Sequence, residues 1–289
     1  MSMPQVVARI LVGAHMDGLT ISLASSVLRR SPTNRVMRAL AWHVGQLGRN
    51  CPRVARLRGG SRIVVDVRDY AHRHIMLFGV YEEEVTRLFH QLSSPAWTVL
   101  DVGANVGYFS LVAAEAGGIG ARIFAFEPNP QMATLLRRTL ALNGRSQVEL
   151  VAAACGERDD KVELHLSPDP HNTGLSTVRH LAGTKRLTVN ELRLDTFCAE
   201  HDVEPDLIKI DVEGAEDSVL RGAEGLLRRG IPKHVICEVW EATRSEVVSY
   251  MADLGYTAHA ISPGGTSGSA EDGITSNVYF RHDSSVAKR

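Results

Sequence analysis

The stretch Val99-Leu100-Asp101-Val102-Gly103-Ala104-Asn105-Val106-Gly107-Tyr108-Phe109-Ser110 reads as a strand, a tight glycine turn and the start of a helix. Gly103 and Gly107 let the backbone turn sharply and approach a ligand where a Cβ would stand in the way. The helix that follows offers unpaired N–H groups in its first turn. The next apolar segment, residues 122–126, leads into Glu127, 20 residues past Gly107. A carboxylate at that strand end can accept hydrogen bonds from both hydroxyls of a ribose, so loop and acid together predict a nucleoside-bearing cofactor. A dinucleotide site needs GxGxxG, and Asn105 stands at its middle glycine; no GxxxxGK[ST] occurs either. S-Adenosylmethionine carries a ribose and no phosphate, and suits what remains.

Outward from this centre, apolar strands alternate with amphipathic helices. Strands are expected at 97–102, 122–126, 148–154, 206–210 and 234–239, and helices at 109–116, 130–142, 215–229 and 245–254. Asn129 is a candidate N-cap, Pro130 suits the first turn, and Asn143-Gly144 closes that helix. Residues 256–261 and 277–281 form a final strand pair with no helix between them, which predicts an antiparallel strand at one edge. The Gly- and Ser-rich stretch 262–273 reads as a mobile loop. Upstream, 62–68 and 74–78 read as short strands and 82–92 as a helix. The alternation predicts an α/β, doubly wound, mostly parallel sheet with ligands collecting beyond the carboxyl ends of its strands.

Residues 1–60 read as a helical extension, with helices over 6–29, broken near Gly18, and over 34–48. Packing on the main domain is the plainest use of their apolar stripe; a homodimer contact and a membrane surface are the alternatives. The expected organisation is an extension (1–60), one domain (61–283) and a tail (284–289).

The chain has 289 residues, 44% hydrophobic and 22% charged, as in an ordinary globular protein. Its 32 basic and 33 acidic residues leave a formal net charge of −1, which argues against nucleic acid as a partner. No run approaches the ~20 apolar residues of a membrane span. Arg9 interrupts the apolar start and no cleavage site follows, so no secretory signal is expected. Cys51, Cys155, Cys198 and Cys237 are widely spaced without a CxxC pair, and read as reduced thiols of a cytoplasmic protein.

Three motifs occur in order: Asp101-Val-Gly-Ala-Asn-Val-Gly107, Phe126-Glu-Pro-Asn-Pro130 and Ile208-Lys-Ile-Asp-Val-Glu-Gly-Ala-Glu216. In this the sequence resembles the FkbM family of S-adenosylmethionine-dependent methyltransferases, from about residue 80 to 240. The resemblance implies a class I methyltransferase (Rossmann-like) fold and methyl transfer to oxygen, commonly on a sugar, glycolipid or glycosylated natural product. Carried over by position, Asp101, Gly103, Asn105 and Gly107 would surround the methionine part of the cofactor. Glu127 would hold the ribose, with Pro128 and Asn129 beside the adenosine, and Ala154 and Cys155 would lie near the adenine.

A sugar hydroxyl is a weak nucleophile, and a positioned base that takes its proton contributes typically ~10²–10⁴-fold. Asp211 and Glu213 follow the fourth strand, and Glu238 and Glu241 end the fifth. Asp211 and Glu238 are candidate catalytic groups. With His171 or Asn172 they could hold Mg²⁺, or orient the acceptor without metal. Glu216 reads as a helix-capping carboxylate, while Glu213 stays open between capping and catalysis. The polar, proline-rich stretch 167–176 is placed to fold over the pocket, and His171 is its one imidazole and the candidate base. The competing readings are a non-catalytic cofactor-binding protein and a nitrogen methyltransferase. No Asn/Asp-Pro-Pro-Tyr/Phe motif follows the fourth strand in support of the latter.

Overall fold

A computed structural model describes residues 52–169, 172–262, 265–269 and 277–283. The helices expected at 6–29 and 34–48, the tail and His171 lie outside the described residues.

The segment that decides the fold forms β3 (Thr98–Val102) and α3 (Tyr108–Gly117). Around it runs an eight-stranded sheet in the order β12-β11-β13-β10-β9-β3-β4-β5. Here β4 is Arg122–Phe126, β5 Val148–Val151, β9 Leu207–Ile210, β10 His234–Glu238, β11 Tyr256–Ser262, β12 Gly265–Ser269 and β13 Asn277–His282. Strands β5, β4, β3, β9 and β10 are parallel, and β13, β11 and β12 add an antiparallel edge. Strand order reverses between β3 and β9, which opens a crevice at their carboxyl ends.

The parallel strands are apolar on both faces because helices cover both. Val99, Ile123, Ala125, Leu207 and Ile236 face one cluster with α2 (Glu83–Leu92), α3 and α4 (Pro130–Asn143). Leu100, Phe124, Phe126, Ile208, Ile210, Val235 and Cys237 face the other, with α5 (Leu194–Glu200), α6 (Glu216–Gly222), α7 (Glu224–Arg228) and α8 (Arg244–Asp253). Helix α4 begins as its sequence predicts: Asn129 caps it by accepting from Gln131 N at 3.0 Å, Pro130 follows, and Gly144 ends it in the left-handed conformation.

Five expectations are corrected. Residues 74–78 are not a strand but part of α1 (Tyr70–Phe78). Asp69 caps it and Gly79 (φ 68°) closes it, and these end signals outweigh an alternation only five residues long. The strand expected over 62–68 stops at Val65 as β2 (Arg62–Val65), because Asp66 turns the chain by accepting from Arg68 N and the Arg68 guanidinium. β2 pairs with β1 (Arg53–Arg56), and Ala55 and Leu57 join the core, so part of the presumed extension is built into the main body. The helix expected over 215–229 is divided at Ala223, whose ψ of 8° interrupts it. The supposed loop 262–273 contains β12, which pairs with β11 across a register shift.

A three-stranded sheet, β6 (Ala154–Cys155), β8 (Arg186–Leu192) and β7 (Asp160–His165), flanks the crevice; β7, β8 and α5 have no counterpart in the sequence reading. No helix among the described residues is long and apolar enough to cross a membrane.

Candidate active site

The β3–α3 turn is folded against two neighbours. A Cβ on Gly103 (φ 83°) would meet the Asp211 carbonyl oxygen at 1.8 Å, so only glycine lets this turn lie on the end of β9. The backbone N–H groups of Gly103 and Ala104 both donate to Phe126 O, at 3.0 and 2.9 Å. Asn105 is left-handed (φ 52°), a strained conformation for a residue with a side chain. Its side chain is fixed in turn. Asp66 N donates to His72 Nδ1 at 3.3 Å, so Nε2 carries the ring proton and donates to Asn105 Oδ1 at 3.1 Å.

Glu127 is the hinge of the pocket. Its Oε2 accepts from Asn105 N and its Oε1 from Asn129 N, each at 2.7 Å, and the residue is only 6% exposed. Burial pushes its carboxyl up to about 7 against the pull of those two N–H groups. Each oxygen keeps a lone pair for a ligand hydroxyl.

The crevice encloses about 1200 Å³ of atom-free space, counting its open mouth. One end is apolar, lined by Phe126, Met132, Ala153, Ala154, Cys155 and Leu164. Burial raises the Cys155 thiol well above its ordinary value, which makes it an inert wall residue. Pro128 and Asn129 line the middle of the crevice with Glu127. A turn at Thr173–Leu175 covers it, held by Asp69, whose Oδ2 accepts from Thr173 N at 2.7 Å and Thr173 Oγ1 at 2.8 Å.

The other end is acidic. Asp211, Glu213 and Glu238 offer carboxylate oxygens within 4.8 Å of one another. Lys209, 2% exposed, donates from Nζ to Asp211 Oδ2 at 2.9 Å and stands over the Phe109 ring at 4.6 Å. Burial opposes the charge on both members of this pair. The attraction of Lys209, with hydrogen bonds from Glu238 and Lys209, nonetheless holds Asp211 ionised, below the usual carboxylate range. Asp211, Asp101 and Glu82 likewise keep Lys209 charged. Burial and the neighbouring Asp211 charge raise Glu238, which is the proton donor in its hydrogen bond to Asp211. Burial, then Asp211 and Glu216, push Glu213 up to about 8.

This donor set does not fit Mg²⁺ as it stands. Lys209 Nζ already donates to Asp211 Oδ2 at 2.9 Å, so a hard dication would have to bind beside a buried ammonium group and compete with it for that oxygen.

Most of the residues the sequence nominates meet here: Gly103, Asn105, Glu127, Pro128, Asn129, Ala154, Cys155, Asn172, Asp211, Glu213 and Glu238 all line the crevice. Asp101 and Gly107 are not among the lining residues. Asp101 is 1% exposed and accepts from Ser110 Oγ at 2.5 Å, while Gly107 makes room for Leu136. Glu216 is buried at the first position of α6 and accepts from Gly214 N at 2.8 Å, a bond to the turn before the helix and not the side-chain cap expected of it. Glu241 is exposed and lies outside the lining. Sequence reasoning missed Asp69, His72 and Lys209. The signal for Lys209 was present, since a lysine inside Leu207-Ile208-Lys209-Ile210 must find buried carboxylates. Asp69 and His72 were hidden by reading a strand where α1 lies.

Three relatives are similar to parts of the chain. Methyltransferase sdnD of Sordaria araneosa is 29% identical over 191 residues, covering 55% of this chain and 73% of that protein. 2-O-methyltransferase NoeI of Sinorhizobium fredii is 28% identical over 156 residues, 48% of this chain and 62% of that one. Hexuronic acid methyltransferase AglP of Haloferax volcanii is 24% identical over 148 residues, 51% and 58% respectively. The chain thus spans about three fifths of the length of the last two. The Methyltransferase FkbM domain matches residues 101–258, more than half of the chain, from β3 into β11. With its doubly wound sheet and antiparallel edge, the chain belongs to the FkbM family of methyltransferases.

Proposed function

We propose that the chain is an S-adenosylmethionine-dependent O-methyltransferase acting on a hydroxyl of a sugar or glycosylated molecule. The observation that carries the cofactor reading is Glu127, a buried carboxylate braced by two backbone N–H groups with a lone pair left on each oxygen. The residues fit the cofactor: Ala154 and Cys155 flank an adenine, Glu127 receives the ribose diol, and Gly103 and Asn105 border the methionine part. When bound, S-adenosylmethionine supplies an electrophilic methyl group on a sulfonium.

The protein's part is to align the acceptor, exclude water and move a proton. Thr173–Leu175 closes over the crevice, anchored by Asp69. Asp211 is the ionised carboxylate at the acidic end and takes the proton that the acceptor hydroxyl loses as its oxygen–carbon bond forms. Lys209 keeps Asp211 ionised, and Glu238 holds the acceptor oxygen or passes the proton on. His171 remains a sequence-based candidate for the same proton.

Sugar hydroxyls are favoured because NoeI is a 2-O-methyltransferase and AglP a hexuronic acid methyltransferase, and both are similar to this chain. A homodimer through residues 1–60, a cytoplasmic location and an acceptor other than nucleic acid belong to the same proposal and rest on sequence alone. The test is incubation with S-adenosylmethionine labelled in its methyl group and a panel of glycosides, with mass spectrometry of the product. Label on a sugar oxygen is expected, and loss of that label in Asp211→Asn by ~10²–10⁴-fold. Label on nitrogen, or full activity in Asp211→Asn, contradicts the proposal.

A further inference from the structure

Trp240 is a large apolar side chain left 48% exposed, two residues beyond Glu238. Single exposed apolar residues are ordinary on protein surfaces; the place of this one is not. Along β10 and its continuation, Val235, Cys237 and Val239 point to one face of the sheet and are buried there. Ile236 points to the other face, and alternation puts Glu238 and Trp240 on that face with it. The series therefore runs from core (Ile236) to crevice (Glu238), and Trp240, outside the crevice lining itself, follows at most ~7 Å further along an extended chain. The backbone at Trp240 is fixed: its carbonyl accepts from Thr243 N at 3.0 Å and Thr243 Oγ1 at 3.3 Å. Among the described residues its indole makes no ring contact.

We propose that Trp240 is the stacking platform for a neutral pyranose ring whose reacting hydroxyl points down to Asp211 and Glu238. This rests on the methyltransferase reading above and names its acceptor class. A pyranose has an apolar C–H face and a hydroxylated edge, and the rim offers each its match: an indole face above, carboxyl groups below. The Thr173–Leu175 turn lines the crevice through Thr173 and Gly174, stands close to Asn105 and Glu213, and leaves Leu175 37% exposed. The makeup of the described lining favours a neutral ring, since Lys209 is its one ammonium or guanidinium side chain. Asp211 is ionised, and the one lysine among the lining residues, Lys209, is already committed to it. A ring carboxylate would enter next to Asp211, Glu213 and Glu238, and among the described lining residues no further lysine or arginine is there to meet it.

The experiment uses the full chain labelled with 5-fluorotryptophan and saturated with S-adenosylhomocysteine, whose binding is first verified by calorimetry. The Trp240 resonance is assigned with Trp240→Phe. Methyl glucopyranoside, methyl mannopyranoside, methyl galactopyranoside and glucuronic acid are then titrated in. The expected result is movement of the Trp240 signal with a neutral pyranoside and not with glucuronic acid, while the buried Trp97 signal stays still. Saturation-transfer measurements on that pyranoside should show about three- to tenfold weaker binding to Trp240→Ala and recovery in Trp240→Phe. Both variants should bind S-adenosylhomocysteine as the parent does. If the cofactor product binds and no neutral pyranoside moves Trp240, or Trp240→Ala binds it equally well, the platform is wrong and the cofactor reading stands. Preference for glucuronic acid overturns the neutral-ring assignment. Failure of S-adenosylhomocysteine to bind removes the cofactor reading and the platform with it.

Discussion

Replacing Glu127 by glutamine exchanges one carboxylate oxygen for an NH₂ group and tests what the crevice holds. In the parent, each carboxylate oxygen accepts one backbone N–H, from Asn105 and Asn129, at 2.7 Å. Glutamine has a single acceptor oxygen, so one of those N–H groups would face an NH₂ donor. On the proposed reading, the outward lone pairs also accept the two ribose hydroxyls of the cofactor. Hydrogen bonds to a charged group are worth ~1.5–3 kcal/mol each, and the variant loses one and weakens the other. The expected loss is ~2–4 kcal/mol, or ~30- to 1000-fold in Kd. Stability should change less, since the unpaired N–H is offset by the removal of a buried charge. A pH signature accompanies the loss. Because burial pushes Glu127 up to about 7, cofactor affinity in the parent should strengthen as pH rises through that value, and the variant should be flat across it. Titration calorimetry with S-adenosylhomocysteine measures both effects, with thermal melting to verify that the variant is folded. A folded variant whose Kd stays within about threefold of the parent would refute the assignment of Glu127 to the cofactor.

Three further outcomes follow from the same site. Glu213 is pushed up to about 8 from an ordinary 4.5, so between these values the folded state holds a proton that the unfolded state has lost, and stability falls as pH rises. Above neutrality, where histidines no longer titrate, the melting temperature of the ligand-free protein should decline toward pH ~9, less steeply in Glu213→Gln; equal slopes contradict this. Asp69→Ala removes the cap of α1 and both bonds to Thr173, for ~2–4 kcal/mol in all. Amides at 172–177 should then exchange faster with deuterium, and unchanged exchange there would show that Asp69 does not hold the cover. Lys209→Met strands Asp211, Asp101 and Glu82 without their cation and should cost ~3–5 kcal/mol by chemical denaturation. The double variant Lys209→Met/Asp211→Asn should recover part of that, and no recovery argues against the pair.

Legibility in the sequence followed the range of the interactions involved. Strands β3 and β4, the Gly103 turn, Glu127 and the Asn129 cap could be read because each is encoded within a few residues, by apolar runs, left-handed glycines and cap chemistry. The carboxyl pair Asp211 and Glu238 could be located because strand ends converge in any doubly wound sheet. The rest depends on distant partners. The Asp69–Thr173 clamp joins residues 104 apart, and nothing near either one announces the other. Strands β7 and β8 are half-exposed and polar, so their alternation carries little apolar signal, and they pair with each other and with β6 apart from the central sheet. The separation of Asp101 from the crevice also needed coordinates. Its position beside Gly103 suggests a ligand contact, and only packing reveals that Ser110 takes its carboxylate instead.

The central claim is that the space between Glu127 and Asp211 is built for an adenosyl sulfonium. A crystal structure of the protein grown with S-adenosylhomocysteine tests it most directly. The account predicts ribose hydroxyls on both Glu127 oxygens, the base against Ala154 and Cys155, and the sulfur turned toward Asp211 and Glu238. A bound ligand with its ribose away from Glu127, or its sulfur far from the acidic end, would contradict it.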